Sequence, residues 1–480
     1  MMKRLLASAL ALSVAGCAMG PDYKRPQTET PATFRGAPAP STETSLADLA
    51  WWDLVKSDAV LADLIREALE NNKDLRIAAA RVEEARAISR INYLLPQVDA
   101  GAGANRQRFT ENGVGGALGG QTLNSFDLSA VLSWEIDLWG KLRRTNESTL
   151  AQFLATEEAR RGVYLALVSD VSTAYLQLRT LDFQLDVAKR TVGSRKASYD
   201  LVDKRLLGGV GSRLELSQAG AALAQAEASV PLIEQSIFEQ ENLLSLLLGR
   251  PPTAIARGRR IDEMPPVEVP AGLPSALLER RPDVREAEET LRAANAQVGV
   301  AEASLFPQLS LTGSFGVQSA DLTDLLKSPS IIWNIGGNLL APIFQAGRLR
   351  RNLDAARARW DQARLAYERA ALAAFGETAS SLYAIGKTRE IRTAQERNVD
   401  ALRDTEKMAM LRFDGGVSPY LEVLDAQRQL FSAELSYAEA LRNQRIAVIR
   451  LYRALGGGWN QPETPPQAAA PAPAPAAKAN

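Results

Sequence analysis

The stretch Arg205–Val210 has the sequence RLLGGV, and it recurs as RFDGGV at Arg412–Val417. Its first glycine, Gly208, lies 415 − 208 = 207 residues before Gly415. The same offset relates other short matches along the chain, so it indicates a duplicated structural unit. The sequence therefore predicts two related halves within one fold, rather than a string of independent domains.

The first half, residues 58–249, reads as a helix, a β-hairpin, a long helix, a tight turn and a returning helix. A helical pattern starts at Asp58 and runs to Leu95, where Pro96 stops it. We expect the hairpin at residues 97–138, the long helix at 141–207 and the returning helix at 212–249.

The second half, residues 282–456, repeats this order. Its first helix starts near Pro282 and ends before Pro307. We expect the hairpin at 308–344, the long helix at 347–414 and the returning helix at 419–455. A Pro-rich linker, residues 250–281, joins the halves. The Pro/Ala-rich tail, residues 457–480, has the composition of a disordered segment.

The predicted strands alternate apolar and polar residues, most regularly from Phe126 to Leu138. Such alternation is equally typical of a soluble, half-buried sheet. Strands of about 10 residues also fit a tilted crossing of a membrane in a β-barrel. Four strands cannot close a barrel alone, since the known minimum within one chain is about eight. A membrane barrel built from this chain would therefore have to close between several chains.

The two long helices are predicted because no Pro occurs from Lys141 to Leu207 or from Arg348 to Asp414. At about 1.5 Å per residue, each would be about 100 Å long. Apolar residues recur along both at spacings of three and four, which predicts packing against further helices. A soluble coiled-coil rod would have the same helices, but it would not account for the hairpins.

The composition excludes several function classes. Lys+Arg and Asp+Glu both number 56, so there is no net positive charge of the kind that nucleic-acid binding favours. The chain has no His and one Cys, which removes the usual metal ligands and the usual general base. Gly140-Lys141 lacks the glycine spacing of a phosphate-binding loop. We therefore expect no enzyme, no cofactor, no metal site and no nucleic-acid partner.

The N-terminus has the pattern of a secretion signal. Lys3 and Arg4 precede an apolar run from Leu5 to Ala15, which is too short to span a bilayer. The run ends at Gly16-Cys17, which resembles the lipobox of bacterial lipoproteins. In that reading residues 1–16 are the signal peptide, Cys17 is lipidated, and residues 17–57 form a lipidated tether. The alternative is an unmodified Cys near an ordinary cleavage site.

Several separated motifs resemble those of one family. They are Cys17-Ala18-Met19-Gly20-Pro21-Asp22-Tyr23, Arg280-Arg281-Pro282-Asp283-Val284, Leu424-Asp425-Ala426-Gln427-Arg428 and Leu455-Gly456-Gly457-Gly458-Trp459. The chain resembles TolC-like outer-membrane factors of the NodT type, which are efflux lipoproteins. The resemblance implies an α+β membrane protein that forms a homotrimer. Four strands from each chain would build one 12-stranded β-barrel, continued by an α-helical coiled-coil tunnel through the periplasm.

The resemblance also implies the location and the partners. The protein would be anchored in outer-membrane lipid of a bacterium and would conduct small molecules passively. A periplasmic adaptor (membrane fusion) protein and an inner-membrane pump, commonly of the resistance-nodulation-division class, would complete the efflux system. The alternative is an outer-membrane conduit or scaffold for type I protein secretion.

Three sets of residues are candidates for function in such a channel. The predicted strand charges Asp127, Glu135 and Asp137 would face water in the lumen. By resemblance, the turns Gly208-Gly209-Val210 and Gly415-Gly416-Val417 would form the tip that contacts the adaptor.

By resemblance again, a periplasmic gate would involve Asp425 and Arg428, with Phe413 and Asp414 nearby. Relatives often carry an aromatic hydroxyl and a basic residue at the last two positions. Asp425 and Arg428 also have the spacing of an ordinary surface ion pair on a helix, and the sequence leaves both readings open.

Overall fold

The computed structural model describes residues 18–28, 34–35, 50–112, 119–265 and 277–457. The predicted signal peptide, Cys17 and the tail beyond residue 457 lie outside the described residues.

The described chain is mostly helical, with four strands. The helices are α1 (Trp51–Val55), α2 (Ala59–Asn71), α3 (Lys73–Ser89), α4 (Lys141–Leu207), α5 (Arg213–Leu247), α6 (Leu277–Arg280), α7 (Pro282–Ala303), α8 (Arg348–Asp414) and α9 (Tyr420–Ala454). The strands are β1 (Gln97–Arg108), β2 (Thr122–Ile136), β3 (Gln308–Ser319) and β4 (Ile331–Leu340). α4 and α8 each contain 67 residues, and α5 and α9 each contain 35.

The four strands form one antiparallel sheet in the order β1-β2-β3-β4. Each hairpin pairs internally, and β2 pairs with β3 to join the two hairpins, with Phe126 opposite Ser319. Among the described residues, β1 and β4 each have one edge without a partner strand. Those edges present free backbone donors and acceptors.

The chain divides into two compact units. The first comprises Met1–Gln27, Arg81–Glu157 and Glu286–Arg369, and it contains the sheet. Its helical part has a small core in which Val298 packs with Leu353 and Ala356. Below the sheet, the Trp139 ring stacks on Phe306 at 4.9 Å between ring centroids.

The second unit comprises Thr28–Ala80, Glu158–Arg285 and Ala370–Asn480. Its main core is built from apolar side chains of α1, α2, α4, α5 and α9, including the fully buried Ile65 and Leu178. Tyr175 is also fully buried. Its hydroxyl donates to Asp58 at 3.0 Å and accepts from the Gly258 amide at 2.8 Å.

The helix predicted from Asp58 to Leu95 is wrong in two respects. It breaks at Asn72, whose side chain accepts from the Leu75 amide at 3.0 Å and donates to the Leu247 carbonyl at 2.8 Å. It then ends at Ser89 rather than at Leu95. Just beyond, the Asn92 side chain accepts from the Leu94 amide at 3.0 Å, a local bond that competes with helix.

Three further predictions need correction. The tether at 17–57 contains the helix α1, because Trp51 there is buried in the core. The linker at 250–281 is packed over its described first part, where Ile255 and Ile261 are buried. The hairpin at 308–344 ends earlier, since β4 stops at Leu340 and leaves Ile343 and Phe344 outside the strand.

None of the described helices combines the length and the hydropathy that a bilayer-spanning helix needs.

Candidate functional site

The sheet has two chemically different faces. Residues that lie opposite each other in an antiparallel pair point to the same face, so the register assigns every strand residue to one side. One face carries Val98, Ala100, Ala102, Ala104, Phe126, Leu128, Ala130, Leu132, Trp134, Ile136, Leu309, Leu311, Phe315, Val317, Ile331, Trp333, Ile335 and Leu339, with Arg106, Arg108, Thr122, Asn124 and Ser319 as polar exceptions. Within one chain this apolar face is open, with Trp333 71% and Ile335 83% exposed. An exposed apolar surface of this size is typical of a site that contacts lipid or a partner.

The opposite face is polar or lacks side chains. It carries Gln97, Asp99, Gly101, Gly103, Asn105, Asp127, Ser129, Ser133, Glu135, Ser310, Thr312, Ser314, Gln318, Asn334, Gly336 and Asn338, with Leu123, Val131, Ile332 and Leu340 as apolar exceptions. Asp127 lies opposite Gly103, where a Cβ atom would be only 2.5 Å from its Oδ1. Glycine therefore makes room for this carboxylate on the polar face.

The predicted strand charges do not all lie on the strand. Asp127 and Glu135 are on the polar face of β2, and Glu135 accepts from Lys141 Nζ at 3.0 Å. Asp137 follows the end of β2, so its assignment as a strand charge is corrected. It accepts from the amides of Leu142 and Arg143 at 3.1 and 2.9 Å and thus caps the start of α4.

Both glycine turns have the same backbone geometry. Gly209 and Gly416 take φ values of 75° and 71°, in the left-handed region that glycine adopts without strain. In each turn the following valine donates its amide to an arginine carbonyl five residues earlier, Val210 to Arg205 at 3.0 Å and Val417 to Arg412 at 2.9 Å. This bond closes a Schellman-type helix end.

The helices that follow the two turns start differently. Ser212 and Glu215 form a capping box at the start of α5. At the equivalent place before α9 stands Pro419, which has no side-chain cap. Glu422 there contacts Arg412 Nε at 3.4 Å instead. Exposed apolar side chains flank both turns, with Val210 74% and Val417 71% exposed.

The four candidate gate residues fall into two environments. Phe413 is buried, with its ring centroid 5.4 Å from that of Tyr420 and 4.5 Å from the Arg205 guanidinium. Arg205 also donates to the Phe413 carbonyl at 2.9 Å. Phe413 therefore belongs to the core behind the turn, whereas Asp414, the last residue of α8, is exposed.

Asp425 and Arg428 form a surface pair on α9. Arg428 Nη2 donates to Asp425 Oδ1 at 2.7 Å, and the Gln429 amide donates to Oδ2. The two side chains are 47% and 70% exposed. The hydrogen bond from Arg428, followed by that from Gln429, lowers the pKa of the Asp425 carboxyl. The chain thus brings Asp425 and Arg428 together, while Phe413 packs into the core.

A polar cluster under this surface was missed from the sequence. Gln427 is buried and its Nε2 donates to Ser194 and Ser198 hydroxyls at 3.1 and 3.2 Å. Nearby Arg195 is buried and donates to the Ala222 carbonyl at 2.6 Å, and burial lowers its pKa. The motif Leu424-Asp425-Ala426-Gln427-Arg428 contains Gln427, so the sequence did carry a signal for this residue. No sequence signal distinguishes Arg195 from the other polar residues of α4.

The described residues contain no group of three or more His, Cys, Asp or Glu side chains placed to hold a metal ion.

Comparison with known proteins gives a consistent result. The family model described as "Outer membrane efflux protein" matches residues 64–250 and 273–457. The toluene efflux pump outer membrane protein TtgF of Pseudomonas putida is 37% identical over 473 residues, covering 96% of this chain and 98% of TtgF. The cation efflux system protein CusC of Escherichia coli K12 is 35% identical, covering 95% of this chain and 99% of CusC.

Among solved structures, the open state of the MtrE outer membrane channel of Neisseria gonorrhoeae superposes with a TM-score of 0.82 at 32% identity. It covers 92% of this chain and 98% of MtrE. The family model covers most of the chain and the relatives align over nearly their whole length. The chain therefore belongs to the outer membrane efflux protein family.

Proposed function

We propose that three copies of this chain form the outer-membrane channel of a tripartite efflux system. The single observation that carries this proposal is the sheet, which has one mainly apolar face, one mainly polar face and, among the described residues, two edges without a partner strand. In lipid an unpaired backbone group costs several kcal/mol, so open edges must be joined. Three chains with four strands each close one barrel of twelve strands.

In this arrangement the apolar face contacts lipid and the polar face lines water. Asp127 and Glu135 then face the lumen, whereas Asp137 serves the start of α4. The long helices continue the barrel as a periplasmic tunnel. The equal lengths of α4 and α8, and of α5 and α9, support a duplicated unit, as does the double match of the family model.

The two glycine turns are the part of the chain that meets the partners. The turns at Gly208-Gly209-Val210 and Gly415-Gly416-Val417 contact the periplasmic adaptor, with the exposed Val210 and Val417 as apolar anchors. An inner-membrane pump of the resistance-nodulation-division class supplies the energy, since the channel conducts passively. One relative is named for toluene efflux and another for cation efflux. We favour small organic molecules over metal ions as the cargo, because the chain has no His and only 6 Met to bind a metal ion on its way through.

The gate and the anchor are further parts of the proposal. Asp425 and Arg428, exposed near the start of α9, hold the resting tunnel closed around the threefold axis. Cys17 carries the lipid. Its neighbour Ala18 lies against Gly140, and the Met19 amide donates to the Trp139 carbonyl at 2.9 Å. That places the residue after Cys17 at the end of β2, where the sheet meets the helices.

Export by a deletion strain tests the proposed function. Cells that lack the gene should accumulate small organic compounds and lose resistance to them, and a plasmid copy should restore both. A matched copy with Gly209→Pro and Gly416→Pro, which cannot form the left-handed turns, should not restore them. Unchanged accumulation together with loss of a secreted polypeptide would reject efflux and favour protein secretion.

A further inference from the structure

A basic segment follows the sheet in each half of the chain. After β2 the sequence is Lys141-Leu142-Arg143-Arg144, and at the 207-residue offset after β4 it is Arg348-Leu349-Arg350-Arg351. Both segments open a 67-residue helix whose first turn holds no acidic residue. The two segments therefore place the same charges at equivalent positions, and their surroundings can be compared directly.

Carboxylates neutralise the first segment. Lys141 pairs with Glu135 at 3.0 Å, and Arg143 pairs with Asp137 at 3.2 Å. Arg144 is largely buried and pairs with Asp22 and Glu147 at 2.9 and 2.8 Å. This segment is satisfied by the chain's own side chains.

The second segment lacks those carboxylates. Pro342 stands where Glu135 would be at the offset, and Phe344 stands where Asp137 would be. Within the described part of the chain, the Arg348 guanidinium donates to the neutral Gln345 side chain, and neither Arg348 nor Arg350 has an ion pair. Arg351 reaches Asp354 at 3.3 Å, but both side chains are mostly exposed. Such a pair contributes little.

Two exposed apolar side chains precede these arginines. Ile343 and Phe344 are 92% and 86% exposed, and they lie in the sequence between the end of β4 and Arg348. A membrane surface has an apolar acyl layer next to a layer of charged headgroups. Apolar side chains such as Ile343 and Phe344 suit the first layer, and guanidinium groups suit the second. Guanidinium groups also recognise phosphate better than ammonium groups, because they can donate two parallel hydrogen bonds.

We propose that Arg348, Arg350 and Arg351 bind the phosphate of anionic phospholipids in the leaflet next to the helices. This basic patch, together with Ile343 and Phe344, fixes how deep the second hairpin of each chain lies in the membrane. The N-terminal segment does the same for the first hairpin. The proposal rests on the proposed membrane barrel. The occupant is a phospholipid because the apolar pair and the basic triad are close in the sequence and all five side chains are exposed, whereas a soluble anion would use only the triad.

Lipid binding to the extracted trimer tests this proposal. Native mass spectrometry can count bound phosphatidylglycerol and phosphatidylcholine, each titrated into the same neutral-detergent preparation. The wild type should prefer phosphatidylglycerol, and the R348Q/R350Q/R351Q variant should lose at least about tenfold of that preference. The matched control R213Q/R389Q/R397Q removes three exposed charges elsewhere and should keep it.

Each alternative outcome is decisive. Equal preference in the wild type and the triad variant overturns the proposal, as does an equal loss in the control. If inorganic phosphate displaces phosphatidylglycerol fully, the patch is a soluble-anion site. If the triad variant no longer assembles while the control does, the patch is a contact between copies. Failure of the wild type to form trimers would be seen in the same spectra and would count against the barrel itself.

Discussion

Glu288 holds the N-terminal segment against α7, and its replacement by Gln should release that segment. The buried Glu288 carboxylate accepts from Arg25 Nε and Nη2 at 2.8 and 2.7 Å and from the Tyr23 hydroxyl at 3.2 Å. Arg292 donates to the same carboxylate at 3.0 Å. Gln keeps the shape of the side chain but removes the negative charge and one acceptor.

The size of the effect follows from the exposure of the partners. Hydrogen bonds to a charged group contribute about 1.5–3 kcal/mol. The Glu288 side chain is 4% exposed, but that of Arg25 is 45% exposed, so solvent screens part of the attraction. We therefore take the lower end, about 1.5 kcal/mol, which is about a tenfold rise in the population of the released segment.

The pH dependence has a defined sign. Burial opposes ionisation of Glu288, but the hydrogen bond and charge of Arg25 outweigh it and lower the pKa of the carboxyl. A lowered folded-state pKa gives stabilisation that is present above the usual range for Glu and is lost as the pH falls through the lowered value. Release in the wild type should therefore increase only in acid, and the Glu288→Gln variant should lose that dependence.

Trypsin cleavage after Lys24 measures the release. Lys24 is exposed, and Pro26 protects the bond after Arg25. Cleavage at neutral pH should be about tenfold faster in Glu288→Gln than in the wild type if cleavage follows the open population. Glu302→Gln, on the same helix, should cleave at the wild-type rate. Equal rates for Glu288→Gln and Glu302→Gln would refute the argument that the carboxylate holds the segment.

Three further outcomes are expected. Cys17→Ser should abolish incorporation of labelled fatty acid, and labelling that persists would reject lipidation at this residue. Asp425→Ala should raise single-channel conductance or open time in planar bilayers, because it removes the partner of Arg428; an unchanged trace from an assembled trimer would make the pair a surface contact. Asp137→Ala should lower the stability of the start of α4 by about 1 kcal/mol, the usual value of a lost helix cap, and hydrogen exchange of the Leu142 and Arg143 amides should rise about fivefold. Unaltered exchange at these amides would show that Asp137 does not act as a cap.

The membership of the family and the outer-membrane location, expected from the sequence motifs, are confirmed by the comparisons. The long helices were predictable because Pro is absent over each stretch, and the turns because a Gly-Gly pair ends a helix in the left-handed conformation. The strands followed from alternation, which places the apolar residues of β2 on one face, except for Leu123 and Val131.

Other features depended on contacts that are distant in sequence. The break at Asn72 depends on the Leu247 carbonyl, 175 positions away. The role of Asp137 depends on a strand that ends two residues earlier than its alternating pattern suggests. The resemblance places Phe413 at the gate, but its ring packs against Tyr420 and the Arg205 guanidinium. Pairing of β2 with β3 joins two hairpins that no local pattern connects.

The mass of the complex extracted in mild detergent tests the central claim most directly. The account predicts three chains in one particle that keeps its β-sheet signal, because β1 and β4 each need a strand from another copy. A monodisperse single chain that retains the sheet would contradict it, since the edges would then be stable without a neighbour.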